Sequence, residues 1–175
     1  ELTFALRTFD GRFGLPIDLS WRWLRARLLW AHASAHTADG SRITEGPEPT
    51  VDRWSRETLT LLAGPKWQAC RVYGGGELVY HDVETYPLWG AQVGGEAALD
   101  RALSPYAAVD LKLHQGSDWR PGVAFQIGGW WVHQQRVRLG FIGYFGPDDT
   151  GRYEGREERY LGLVLGLDGT GAVAR

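Results

Sequence analysis

The chain has 175 residues, a formal net charge of -2 and a hydrophobic share of 43%. That length fits one domain, and the basic residues are scattered singly, with no stripe or tail of the kind that holds nucleic acid. No apolar run approaches the ~20 residues of a membrane-spanning helix, which leaves only strands to cross a bilayer.

Glycine (24) and tryptophan (9) are both abundant. Chains rich in glycine and aromatics suit barrels, where glycine relieves crowding in coiled strands. The single cysteine, Cys70, excludes an internal disulfide and reads as a small strand residue. The sequence begins at Glu1, contains no Met and carries no signal peptide. It reads as a mature form or a fragment whose export signal is out of view.

Residues 1–9 alternate, with Leu2, Phe4 and Leu6 against Thr3, Ala5 and Arg7. Asp10-Gly11 is a turn signal. Residues 12–20 alternate again, Phe13, Leu15, Ile17 and Leu19 opposing Gly14, Pro16 and Asp18. Pro16 points to an edge or a bulge. Trp21-Arg22 is a tight connection. Residues 23–36 set Leu24, Ala26, Leu28 and Trp30 against Arg25, Arg27 and Leu29, and residues 37–50 form a long loop rich in Gly, Pro, Asp and Ser.

Residues 51–62 are a poorer strand whose two faces the pattern does not orient. Residues 63–66 are a turn. Residues 67–80 put Arg71, Tyr73 and Glu77 opposite Val72, Leu78 and Tyr80, around Gly74-Gly75-Gly76. A polar loop (81–85) leads to strand 86–97 and a connector (98–105). Strand 106–114 then sets Asp110 and Lys112 against Val109, Leu111 and Leu113. After a loop (115–120), residues 121–145 form the clearest hairpin, linked through 132–135. Val123, Phe125, Ile127 and Trp131, then Val137, Leu139, Phe141 and Phe145, share the bulky face. Small residues with Gln126, Arg136 and Arg138 share the other. A long acidic loop (146–155) precedes strand 156–167.

A period of two throughout predicts strands and no helix. The expectation is therefore an all-β, antiparallel up-and-down barrel of about ten strands over residues 1–167, with 168–175 as a tail. Short turns (21–22, 63–66, 132–135) alternate with longer loops, the layout of outer-membrane barrels; the connector 98–105 breaks this pattern. Aromatics gather at strand ends, Trp21, Trp23, Trp67 and Trp131 at one and Tyr80, Tyr86 and Trp119 at the other. They suit the headgroup level.

The polar face carries Arg7, Asp18, Arg25, Arg27, Arg71, Glu77, Asp110, Lys112, Gln126, Arg136, Arg138 and Glu158. A small soluble barrel fills its inside with apolar side chains. An ionic inside and a greasy outside make sense when lipid is the outer solvent. The predicted lumen-lining set is Arg25, Arg27, Arg71, Glu77, Asp110, Lys112, Arg136, Arg138 and Glu158.

Other chemistry is less well supported. His32 and His36 lie two pleats apart, too far for one zinc without other ligands. Ser34, His32 and Asp52 form a hydrolase triad in name only, since no nucleophile elbow surrounds Ser34. Asp148, Asp149 and Glu154 read as a solvated acidic loop rather than a calcium site. Gly74 to Gly76 sit inside a strand, not before a helix, so they are no phosphate loop. No catalytic residue, cofactor or metal is expected.

Residues 12–20 (RFGLPIDLS), Ser55-Arg56-Glu57, 71–78 (RVYGGGEL), 108–113 (AVDLKL) and 156–162 (REERYLG) resemble the C-terminal part of a bacterial envelope family, domain of unknown function 1207. The resemblance implies an outer-membrane barrel without an assigned activity, and no catalytic residues to carry over. Members finish near the last strand, often with an aromatic, whereas this chain ends in Arg175. The expected function is an integral outer-membrane barrel with a charged, polar interior and a structural or narrow-pore role. Its expected partner is membrane lipid; ligand and oligomeric state are open. The alternatives are a soluble lipocalin-like barrel around an apolar small molecule and a membrane-embedded lipid hydrolase.

Overall fold

The computed structural model describes residues 8–37, 53–65, 67, 70–82, 88–99, 103–132, 136–148 and 156–168. They form one nine-stranded antiparallel sheet in which every strand pairs with its sequence neighbours. The strands are β1 (Thr8–Ser20), β2 (Leu24–Thr37), β3 (Arg53–Pro65), β4 (Cys70–Asp82), β5 (Leu88–Ala98), β6 (Leu103–His114), β7 (Pro121–Val132), β8 (Arg136–Pro147) and β9 (Glu157–Asp168).

About ten strands were expected and nine are described; the turn expected at Asp10-Gly11 is absent. These residues do not turn; they pair with Ala35 and Ser34 in an unbroken register from Thr8↔Thr37 to Ser20↔Arg25. A long ladder against β2 overrides the local turn propensity of the dipeptide. The rest of the first predicted strand, with Arg7, lies outside the described residues.

The expected closure is not present either. β1 and β9 sit at opposite ends of the strand order, so the described sheet is open. In a meander of nine strands the first and last run in the same direction, and a direct seam between them would be parallel. The sheet is nevertheless strongly curled. Arg12 on β1 and Lys112 on β6 line one cavity, and Arg25 on β2 and Arg138 on β8 line another.

Connections alternate more cleanly than the sequence suggests. Residues 21–23, 66–69, 99–102 and 133–135 link strands at one end. Residues 38–52, 83–87, 115–120 and 148–156 link them at the other. The connector that broke the pattern is short, because β5 runs to Ala98 and β6 starts at Leu103. Loop 115–120 holds a 3₁₀ turn, Gln115–Ser117, capped by the His114 side chain, which accepts from the Gly116 N–H at 3.1 Å. Asp168, expected in the tail, ends β9 opposite Arg136.

The two faces of the sheet have opposite chemistry. Among the described residues the buried apolar set is Ala31, Ala35, Trp54 and Val79. Phe13, Leu15, Ile17 and Leu19, then Leu59 and Leu61, then Leu139 and Phe141 are exposed on the convex face, and Leu161, Leu163 and Leu165 are more than 70% exposed. Arg56, Thr60, Glu77, Asp82 and His114 are buried. The strand whose faces the sequence left open, β3, turns Leu59 and Leu61 outward and Trp54, Arg56 and Thr60 inward.

Tyrosines and glycines make the concave face close-packed. Tyr73 lies across Gly94 on the neighbouring β5, and its ring would collide with any Cβ there. Tyr106 lies across Gly128 and Gly140, and Tyr144 across Gly122, in the same way. Gly75 answers a different need. Its backbone approaches the Leu61 carbonyl of β3 so closely that a side chain has no room.

Candidate functional site: a charged concave face

The concave face is organised in layers along the strands. Toward the long-loop end, the Arg56 Nε and Nη2 atoms each lie 2.9 Å from Asp82 Oδ2, with both side chains about 5% exposed or less. The Arg56 guanidinium also sits 5.0 Å over the Trp54 ring. The register slips by one residue between Glu57 and Thr58. That bulge turns Asp82 inward after the outward Tyr80.

In the middle, Glu77 is the hub. It accepts from Thr60 Oγ1 at 3.1 Å and faces Lys112 Nζ at 3.3 Å, joining β3, β4 and β6. Beside it Asp110 Oδ2 accepts from the Tyr73 hydroxyl at 2.6 Å and from Gln92 Nε2 at 2.7 Å. The second group joins β4, β5 and β6. Each group joins β4 to β6, which are not adjacent.

Toward the short-turn end, Arg27 forms a two-pronged pair with Asp18, Nε–Oδ1 at 2.7 Å and Nη2–Oδ2 at 2.8 Å. Arg71 Nε lies 3.2 Å from Glu96 Oε1. Both pairs are solvated and add little stability by themselves. Their consequence is placement: they hold charge at the rim.

Two cavities follow this layering. The larger, about 780 Å³, is lined by Arg12, Asp18, Arg25, Arg27, Arg71, Glu77 and Lys112 among others. The smaller, about 320 Å³, lies at the short-turn end and shares Arg25 and Arg71 with the first. Of the predicted lining residues, Arg25, Arg27, Arg71, Glu77 and Lys112 therefore meet in one cavity, and Arg138 joins Arg25 and Arg71 in the other. Asp110 is half-buried beside them. Glu158 is exposed opposite Gly146 near the long-loop end, away from both cavities. Arg136 occupies a register position opposite Val132 and Asp168; its side chain lies outside the described set.

The sequence missed Arg56–Asp82, because Asp82 read as a loop residue and the bulge is silent in the pattern. It also missed Tyr106. The available signal was the recurrence of glycine on strands flanking each inward tyrosine.

The convex face changes character at its ends. Trp21, Trp23 and Trp67 are exposed at the short-turn side, Tyr80 and Trp119 at the other. The Trp30 indole N–H donates to the Tyr80 hydroxyl at 2.6 Å. One step further along lie His32 and Glu57, 3.6 Å apart. Trp131 is described in backbone only, and Tyr86 lies outside the described residues.

No cluster of metal-ligating side chains occurs among the described residues. Ser34 and His32 share a strand, His32 faces Glu57, and Asp52 lies outside the described residues, as do Asp149 and Glu154. Gly74 to Gly76 pair with Val93, Gln92 and Ala91 inside β4. Cys70 is exposed at the start of β4 and is a free thiol. Comparison with family models, curated proteins and solved structures returns no match.

Proposed function

We propose that this chain is the wall of an outer-membrane β-barrel with a charged, polar lumen, serving as a structural element or narrow pore. The carrying observation is the inverted burial: Leu161, Leu163 and Leu165 are more than 70% exposed while Arg56 and Asp82 are buried. Soluble monomers rarely expose apolar patches beyond a few hundred Å². Here every strand but β2 carries at least one exposed large apolar side chain. From Phe13 to Trp21 the band runs roughly 26 Å along the strand. A tilt of about 40° reduces that to about 20 Å, near the height of an outer-membrane apolar girdle.

Tryptophan at one boundary of that band and the Trp30–Tyr80 pair at the other fit two headgroup levels. A narrow rather than wide passage is favoured by the Glu77–Lys112–Thr60 and Asp110–Tyr73–Gln92 groups, which cover the concave face of β3 to β6. Hydrocarbon tolerates no unpaired strand edge, so this reading requires partners for the outer edges of β1 and β9.

A lipocalin-like barrel needs its Leu, Phe and Val face around a cavity; here the larger cavity mixes Phe13, Leu19, Leu29 and Leu62 with Arg, Asp, Glu and Lys, and Leu161, Leu163 and Leu165 lie outside both cavities. The test is extraction. Membranes from cells expressing the chain with an export signal are washed with alkaline carbonate and then with detergent. Retention through carbonate, release by detergent and a heat-shifted gel mobility are expected. Release by carbonate refutes the proposal.

A further inference from the structure

We propose that the smaller cavity, at the short-turn end of the lumen, binds a small oxyanion. Its polar lining comes from six strands: Arg25 on β2, Arg71 on β4, Glu96 on β5, Tyr106 on β6, Gln126 on β7 and Arg138 on β8. Three guanidinium groups thus share about 320 Å³ with one carboxylate. Glu96 is engaged by Arg71. Among the described residues, Arg25 and Arg138 have no carboxylate within ion-pair range.

A second observation is independent of charge. The Nε of Arg138 and the hydroxyl of Tyr106 are buried and have no hydrogen-bond partner among the described residues. The Arg71 Nε has only the poorly aligned Glu96 carboxylate at 3.2 Å. Buried polar atoms are almost always paired, and two exceptions on residues that line one cavity call for one explanation. Both are groups that can donate. What they lack is an acceptor, and an oxyanion supplies several.

The guanidinium planes are also held in place. The Arg71 Cζ lies 5.0 Å over the Tyr73 ring, and the Arg138 Cζ lies 5.3 Å over the Trp130 ring. Stacking engages the face of a guanidinium and leaves its N–H edge for in-plane acceptors. That edge matches phosphate, sulfate and carboxylate oxygens. Free phosphate and the phosphate of a lipid headgroup share this chemistry.

The inference rests on the barrel reading for its setting, and its test is scored separately. The full chain in detergent micelles is titrated calorimetrically with inorganic phosphate and, in a second arm, with short-chain phosphatidic acid. Saturable binding of either anion is expected, the first marking a free solute and the second a headgroup. Arg25→Gln and Arg138→Gln should each weaken it about tenfold, the scale of one lost charge-assisted contact. Tyr106→Phe keeps the ring over Gly128 and should weaken it severalfold, which covers the case of an arginine variant that does not fold. Arg120→Gln, at the other end beside Glu157, should leave it unchanged. Absence of saturation by both anions, or unchanged affinity in Tyr106→Phe and Arg138→Gln, overturns the site. Either result stands whether the protein needs detergent or not.

Discussion

The Glu77 carboxylate on β4 meets the Lys112 ammonium on β6 at 3.3 Å, across the whole width of β5. A flat sheet holds next-nearest strands nearly 10 Å apart. The contact exists because the sheet curls and because β5 offers only Gly90 and Gln92 beneath it. Thr60 donates to the same carboxylate. Glu77→Ala should therefore cost about 2–3 kcal/mol in denaturant unfolding from micelles, the scale of lost hydrogen bonds to a charged group. In a double-mutant cycle with Lys112→Met the coupling should exceed about 0.5 kcal/mol. Additive losses contradict the contact.

The Arg56–Asp82 pair should behave differently, because both partners are buried. Asp82→Ala strands a cation in the interior and should cost about 3–5 kcal/mol. Replacing both, Arg56→Met with Asp82→Leu, should recover most of that loss, since well-packed apolar groups often substitute for a buried pair. A double variant as unstable as the single would mean that Asp82 acts through some other contact.

Tyrosine–glycine packing makes a steric prediction. Gly94→Val drives a side chain into the Tyr73 ring and should destabilise by about 1–3 kcal/mol, the usual range for overpacking. Tyr73→Ala in the same chain should relieve the strain while losing the hydrogen bond to Asp110. If Gly94→Val is neutral in thermal unfolding, the close approach is absent.

The proposed membrane setting requires both sheet edges to be satisfied. Amide hydrogen exchange in micelles should find β1 and β9 protected comparably to the central β5. Rapid exchange along the outer edge of either strand would mean that it is open to water, which the membrane reading does not permit.

Much of this arrangement was readable from residue order. Period-two alternation assigned the two faces of β1, β2 and β4 to β9 correctly, because a pleat allows no other choice once the strand is known. It separated the two faces of β3 as well, without saying which of them turns outward. Strand ends were less legible: Asp10-Gly11 looks like a turn in isolation and is a ladder position only because β2 continues beside it. Closure was not legible, since alternation sets faces and says nothing about which edges meet. The polar groups of the concave face were half legible. Glu77, Lys112 and Asp110 stood on the expected face. Their partners Thr60, Tyr73 and Gln92 depend on register and curvature, which no local pattern encodes.

The central claim is orientation: apolar side chains toward lipid and ionic ones toward the axis. Spin labels at Leu163→Cys and Gln92→Cys, each in a Cys70→Ser background in reconstituted vesicles, test it most directly. The account predicts that the label at 163 collides with dissolved oxygen and is shielded from a water-soluble nickel chelate, and that the label at 92 is less accessible to oxygen than the label at 163. A label at 163 freely accessible to the nickel chelate would contradict it.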